Sequence, residues 1–185
     1  MTLSLPPIAG YVAGTWVIDP VHSDVSFTVR HLMVSRVRGR FDRFTGQIVT
    51  AEDVSASSVT AEIDLTSIDT GNAERDDDLR SSNYLDVEQY PTMTYRSTAV
   101  RATGETFDVD GQLTLHGVTR PVQLTGRLHG IHPNGKGGTV AGLSATAEID
   151  RSDFGIKLAL PIPGGGVVVG DTVSITLEIE ASLAQ

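Results

Sequence analysis

The stretch WVIDPVHSDVSFTVRHL, residues 16–32, alternates apolar with polar residues over most of its length. Phe27 and Val29 fall on one side of this alternation, and the polar residues between and beside them fall on the other. Because successive side chains of a β-strand point to opposite faces of a sheet, the pattern predicts a strand with one face buried in a core. His22 and His31 stand near the two ends of this stretch, which makes them the first candidates for chemistry.

The same period of two recurs along the rest of the chain and predicts about eight strands in all. After the opening strand, the predicted strands cover residues 37–49, 59–65, 93–99, 107–115, 122–128, 141–149 and 173–179. Most connections between them are short, so strands that follow one another in sequence are expected to be antiparallel neighbours. An even number of antiparallel strands allows the first and last to pair, which predicts an all-β, eight-stranded, up-and-down, lipocalin-like β-barrel. A sandwich of two sheets is the alternative, because it would show the same alternation.

One segment interrupts the strands with the pattern of a short helix. Residues 67–85, SIDTGNAERDDDLRSSNYL, carry Asp69 or Thr70 as the predicted N-cap and acidic residues in the first turns. We expect this helical insertion to act as a lid or plug at one end of the barrel. The three consecutive acids at residues 76–78 are expected to form a solvated helix face.

Composition limits the classes of partner and chemistry. The chain has 185 residues, a formal net charge of -9 and no cysteine. Thiol chemistry and cysteine-based metal sites are therefore excluded, and the scattered basic residues argue against binding to nucleic acid. Residues 1–14 have no basic residue and no long apolar run. We expect them to be an N-terminal extension without a signal peptide or membrane span, which predicts a cytoplasmic protein.

Four segments together resemble one known family. They read TWVIDPVHSDVSFTVRHLMVSRVRGRF, IDLTSIDTGNAERDDDLRSSNYLDVEQYPTMTY, GQLTLHGVTRPVQL, and RSDFGI followed by VGDTVSITLEIE. In this order they resemble the YceI-like, polyisoprenoid-binding family, over about residues 15–180. The resemblance implies that residues 15–185 form a single lipocalin-like barrel domain that holds a long-chain isoprenoid or similar amphiphile. Relatives also suggest a homodimer, and many of them carry a secretory leader, which this sequence does not show.

The inward faces of the predicted strands and the insertion supply the candidate cavity residues. The predicted apolar lining consists of Phe27, Val29, Phe41, Leu79, Tyr84, Met93, Tyr95, Phe107, Gly111, Leu113, Phe154, Ile175 and Leu177. Gly111 is expected to face inward and leave space for the ligand, because it is in register with Phe107 and Leu113. His22, His31 and Arg80 are candidates for contact with a polar head group. An alternative for Arg80 is a surface ion pair with Asp76 or Asp77.

The leading functional hypothesis is binding, storage or transport of an amphiphilic isoprenoid, such as a polyprenyl chain or an isoprenoid quinone. No catalytic residue, resident cofactor or metal site is predicted, because the sequence lacks a recognisable nucleophile or ligand constellation. A lipid-processing enzyme is the first alternative, with His22 or His31 as general base and Asp19 or Asp24 orienting it. The second alternative is a stress-related interaction domain whose barrel is filled by side chains.

Overall fold

The structure is a computed structural model that describes residues 8–185. The predicted N-terminal extension and the expectation about a signal peptide therefore lie partly outside the described residues. The elements are β1 Gly14–Ile18, β2 Asp24–His31, β3 Ser35–Phe41, β4 Phe44–Thr50, β5 Ser58–Asp64, β6 Ile68–Asp69, α1 Ala73–Arg80, β7 Thr92–Thr103, β8 Thr106–Leu115, β9 Val118–Pro133, β10 Thr139–Asp150 and β11 Val169–Leu183. Short 3-10 turns occupy Val54–Ala56, Leu65–Ser67 and Arg151–Phe154.

The sheet closes into an eight-stranded antiparallel barrel. Its strands follow the order β1, β4, β5, β7, β8, β9, β10 and β11, and β11 pairs back onto β1. Each of these pairings is antiparallel. The predicted barrel is confirmed, and the two-sheet sandwich is wrong because the sheet has no edge within this ring.

A bend divides each of the first two predicted strands into two. Ile18 in β1 pairs with Ala181, whereas Val25 in β2 pairs with Leu177 farther along the same strand, β11. Pro20 has no N–H to donate to the sheet, and the Ser23 hydroxyl instead accepts a hydrogen bond from the Glu180 N–H at 3.0 Å. As a result, β2, β3 and β6 form a sheet extension that continues beyond the closed ring.

Helix α1 begins after Asn72, and the predicted N-cap at Asp69 or Thr70 is wrong. The Asn72 side chain accepts a hydrogen bond from the Arg75 N–H at 2.9 Å. Thr70 instead donates its N–H and hydroxyl to the Asp76 carboxylate, at 2.9 and 2.5 Å. Asp76 is consequently buried, and only its two acidic neighbours in the triple acid are solvated as expected.

Apolar side chains fill the end of the molecule at which α1 lies. Leu65, Ile68, Phe41 and Phe154 are buried there in one continuous hydrophobic cluster, together with Tyr84 from the segment after α1. The insertion thus packs on the barrel as part of the core. No helix among residues 8–185 is long and apolar enough to span a bilayer.

Candidate functional site

An apolar cavity of about 240 Å³ lies inside the closed ring. Its walls are inward-facing side chains of the barrel strands, such as Ile63 of β5, Ala145 of β10 and Ile179 of β11. The strands present aliphatic residues here because their alternation places every second side chain inside. A cavity of this size with apolar walls is suited to a hydrocarbon chain.

The structure brings part of the predicted lining together around this cavity. The predicted residues that line it are Met93, Tyr95, Phe107, Leu113, Ile175 and Leu177. All of them belong to β7, β8 and β11, where each predicted strand is a single unbroken element of the barrel. Their contact with a ligand stays a prediction.

The other predicted lining residues lie outside the cavity, and their placement in its wall is corrected. Phe27, Val29 and Phe41 lie between the two bends, on β2 and β3, so they sit in the sheet extension and in the core beyond the ring. Leu79, Tyr84 and Phe154 pack in the same closing core. From β2, Val25 alone reaches the cavity among the described residues.

Gly111 faces inward as predicted, but an aromatic ring occupies the space in front of it. A Cβ atom on Gly111 would overlap the Tyr95 ring. The Tyr95 hydroxyl donates towards the carbonyl oxygens of Val109 and Val122, at 3.1 and 3.0 Å. Burial raises the pKa of Tyr95 to about 12, so this phenol stays neutral. Because Gly111 has no side chain, the Tyr95 ring packs directly against its backbone in the barrel wall. Gly111 therefore does not itself line the cavity.

Polar groups of the described residues contribute very little to the surface of the cavity interior. Among residues 8–185, no buried side-chain nitrogen or oxygen lacks a hydrogen-bond partner. Glu105, which is the charged residue among the described lining residues, lies at the turn between β7 and β8 and pairs with Arg127 at 2.8 Å. The barrel interior therefore offers mainly apolar contact and shape.

One end of the cavity is bordered by residues that the sequence interpretation missed. Tyr11 and Val12 line the cavity, and the Tyr11 hydroxyl donates to the Ala51 carbonyl at 2.5 Å. The Trp16 indole N–H donates to the Thr50 hydroxyl at 3.0 Å, and that hydroxyl also lies 2.7 Å from the Val12 carbonyl. These bonds tie the segment before β1 to the rim. The prediction of residues 1–14 as a separate extension did not include these contacts of Tyr11 and Val12 with the rim.

His22, a predicted head-group residue, lies outside the cavity lining on the exposed bend between β1 and β2. Its Nδ1 is 2.8 Å from the Asp19 carboxylate, and this hydrogen bond raises the pKa of His22 and lowers that of Asp19. The His/Asp pair named in the enzyme alternative is therefore formed with Asp19. Glu180 lies close by, and the three groups place their potential metal-binding atoms within 4.8 Å of one another. Both Asp19 oxygens are engaged, because Val21 N–H donates to the second one at 2.8 Å.

His31 and Arg80, the other head-group candidates, also lie away from the cavity. His31 ends β2 at the tip of the sheet extension. Arg80 donates to the backbone carbonyls of Thr66 and Ile68, each at 2.9 Å, and pairs with Asp77 at 3.0 Å. Arg80 thus ties the end of α1 to the 3-10 turn and to β6 that precede it, and the ion pair considered as its alternative role is present.

Comparison with known proteins identifies the same architecture elsewhere. The YceI-like domain family model matches residues 16–181. A UPF0312 protein of Pseudomonas aeruginosa is 41% identical over 140 residues, which cover 75% of this chain and 73% of that protein. The crystal structure of Burkholderia cenocepacia BcnA is similar with a TM-score of 0.74 at 24% identity, covering 88% of this chain and 98% of that one. A polyisoprenoid binding domain from Saccharophagus degradans gives a TM-score of 0.68 at 18% identity, covering 94% and 100%. These two structures share the fold.

Proposed function

Because the chain belongs to the YceI-like domain family, we propose that it binds a long-chain amphiphilic isoprenoid, of the polyprenyl or isoprenoid-quinone type, in its barrel cavity. The observation that carries this proposal is the apolar cavity, whose lining among residues 8–185 consists mainly of aliphatic and aromatic side chains. The structural neighbour from Saccharophagus degradans, described as a polyisoprenoid binding domain, supports the ligand class.

Hydrocarbon burial supplies enough free energy for such binding. Each methylene removed from water contributes about 0.8 kcal/mol, so ten of them contribute about 8 kcal/mol. This is comparable with the cost of about 4–15 kcal/mol for immobilising a ligand. A longer chain therefore binds without a specific polar contact, and a head group at the cavity end near Glu105 remains in contact with water.

The proposed role is storage or carriage, with no covalent step in the cavity. The lining is mainly aliphatic, and the Tyr95 hydroxyl is used within the barrel wall. His22 and Asp19 lie on the outside of the bend, so the proposal assigns them no contact with the hydrocarbon chain.

Denaturing solvent extraction of the purified protein, followed by mass spectrometry, tests the proposal. We expect an isoprenoid at up to one molecule per chain, and we expect the delipidated protein to bind the polyprenol solanesol. Folded His22→Ala and His31→Ala variants serve as controls and should retain the lipid. Extraction of no lipid combined with failure to bind solanesol would overturn the proposal, as would loss of all lipid from a folded histidine variant.

A further inference from the structure

The hairpin formed by β2 and β3 carries a ladder of exposed arginines on its outer face. Arg36, Arg38 and Arg40 alternate along β3, and Arg30 on β2 lies directly opposite Arg36. The remaining cross-strand partners on this face, Thr28 and Ser26, are uncharged. The expectation that basic residues are scattered is therefore wrong here, because strand alternation gathers four of the fourteen on one face.

Most of this ladder lacks an intramolecular counter-charge. Arg40 pairs with Asp42 at 3.0 Å and with Asp69 at 3.7 Å. Arg30, Arg36 and Arg38 form no ion pair within residues 8–185. Like charges directly opposite one another in a sheet are destabilising. An anionic surface bound to this face would supply the counter-charges that these arginines lack.

The tip of the same hairpin is apolar and exposed. Leu32, Met33 and Val34 are all solvent-exposed, and Val34 is 86% exposed. The exposed Leu160 lies beside them, because Leu32 N–H donates to Val168 O at 2.8 Å and Val168 N–H donates to Leu160 O at 2.9 Å. An apolar tip flanked by arginines has the chemistry of a membrane-surface element.

The backbone of the tip is strained for the residues that it carries. Val34 N–H donates to His31 O, and the two central residues of this turn, Leu32 and Met33, have φ of 50° and 61°. Positive φ at both positions favours Asn-Gly, and large apolar residues rarely adopt it. The turn therefore holds two large apolar side chains in water, in a backbone conformation that is unfavourable for them. This indicates that Leu32 and Met33 serve a purpose other than folding stability.

We propose that the arginine ladder and the apolar tip, residues 30–40, dock this protein on an anionic phospholipid bilayer. The arginines match anionic head groups, and the tip side chains enter the region between head groups and acyl chains. Because the whole chain has a net charge of -9, the rest of the surface is repelled and the hairpin end faces the membrane. A second copy of the chain is a less suitable partner, because symmetric packing through this face would place the two arginine ladders against each other and their charges would repel.

The docking end is distinct from the lipid cavity. Strand β11 pairs with His31 at Val169 and with Trp16 at Leu183, so the hairpin tip and the rim near Trp16 lie at opposite ends of this strand. At about 3.3 Å per residue, its 15 residues span about 50 Å. The core around Phe154 fills the space between the cavity and the hairpin. Docking therefore does not depend on the proposed isoprenoid, and the two proposals fail separately.

Sedimentation with phospholipid vesicles tests the charge contribution. We expect the protein to bind vesicles of phosphatidylglycerol and phosphatidylcholine in equal parts, to ignore pure phosphatidylcholine, and to dissociate as salt is raised. Each arginine near an anionic surface changes partitioning about fivefold, so Arg36→Gln/Arg38→Gln should weaken binding by about twenty-fivefold. The control variant Arg96→Gln/Arg120→Gln changes the net charge equally at exposed arginines on other strands and should bind like the parent protein.

Two further variants test the apolar contribution. Leu32→Asn/Met33→Gly suits the positive φ values, so it should keep or raise the melting temperature while vesicle binding falls. Val34→Ser should also weaken binding, whereas Val21→Ser, at a valine that is 82% exposed elsewhere, should not. Equal binding by the test and control variants would overturn the proposal. A parent protein that ignores anionic vesicles, or that self-associates through Arg36 and Arg38 instead, would also overturn it.

Discussion

Arg151 shows at the scale of one residue how the end of the barrel is assembled. Its buried guanidinium donates to the carbonyls of Gly170, Ile156 and Leu158 at 3.0, 3.1 and 2.9 Å. It also pairs with the exposed Asp171 at 3.1 Å. The planar guanidinium, with its five N–H donors, thus joins the end of β10, the following segment and the start of β11.

We predict that Arg151→Met lowers the free energy of unfolding by about 3–5 kcal/mol, because it leaves buried carbonyls without donors. Urea denaturation measures the loss. Arg151→Lys should fall in between, since one ammonium cannot reach all the carbonyls, which are spread over two segments. Arg96→Met, at an exposed arginine, is the control. If Arg151→Met were as stable as this control, the joining role would be refuted.

The exposed His22 should titrate above its ordinary pKa of 6.5, because Asp19 stabilises the imidazolium. A raised folded-state pKa contributes stability below the unfolded value, and this contribution is lost as pH rises through the folded pKa. NMR titration of the imidazole measures the shift. Asp19→Asn should move the pKa of His22 back towards 6.5, and an unchanged pKa in that variant would contradict the assignment to Asp19.

At the scale of elements, the alternation of apolar and polar residues predicted where the strands lie. Alternation located every barrel strand, because the side-chain period of a strand is a property of the strand itself. The bend after Ile18 depends on how Ser23 meets Glu180, a partner 157 residues away. The bend after Phe41 is bonded to Ser67, whose carbonyl and hydroxyl accept from the N–H groups of Asp42 and Arg43. Sequence spacing cannot show such a contact, so Phe27 and Phe41 were assigned to the wrong compartment. The helix cap at Asn72 was missed because Asp69 and Thr70 have equally suitable side chains.

Three glycines in the sheet face aromatic rings on neighbouring strands. These pairs can be identified only when the register between the strands is known. A Cβ atom would overlap Phe27 at Gly39, Tyr95 at Gly111 and Phe107 at Gly126. Each ring therefore covers a glycine on a neighbouring strand. From the sequence alone, Gly111 was predicted to leave empty space, because the ring that fills that space comes from β7.

We predict that Gly111→Ala destabilises the barrel by about 1–3 kcal/mol, because the added methyl group displaces the Tyr95 ring. Without the ring, the same change would be neutral or stabilising, since glycine is unfavourable in strands. A double-mutant cycle with Tyr95→Val, measured by urea denaturation, should therefore show coupling of about 1 kcal/mol or more. Additive effects would mean that Tyr95 and Gly111 are not in contact.

At the scale of the whole molecule, the number of strands predicted that the sheet closes into a barrel. It did not predict which part of the barrel interior is cavity and which part is packed core. An even number of antiparallel strands was enough to predict the barrel. Which part of its interior is packed depends on the insertion and on the turn at Arg151–Phe154, both of which close one end. Met93 and Leu113, on unbroken barrel strands, were placed correctly in the cavity, whereas Tyr84 and Phe154, on the closing segments, were not.

Two alanines on β10 separate cavity from core. Ala145 lines the cavity, whereas Ala147, two residues along the same face, packs in the core cluster, and each is 8% exposed. Ala145→Leu should fill empty space and lower the lipid bound per folded chain, with little change in stability. Ala147→Leu should instead overpack its neighbours, costing about 1–3 kcal/mol, and leave lipid content unchanged.

Melting temperature and extracted lipid, measured on the same preparation of each variant, distinguish these outcomes. The two substitutions add the same atoms to the same strand and face, so a difference between them reports the space in front of each alanine. A continuous packed interior would make both variants unstable, and a ligand held outside the barrel would leave the lipid content of both unchanged. Either result would contradict the division into an apolar cavity near Trp16 and a closed core near Phe154, on which the proposed ligand site depends.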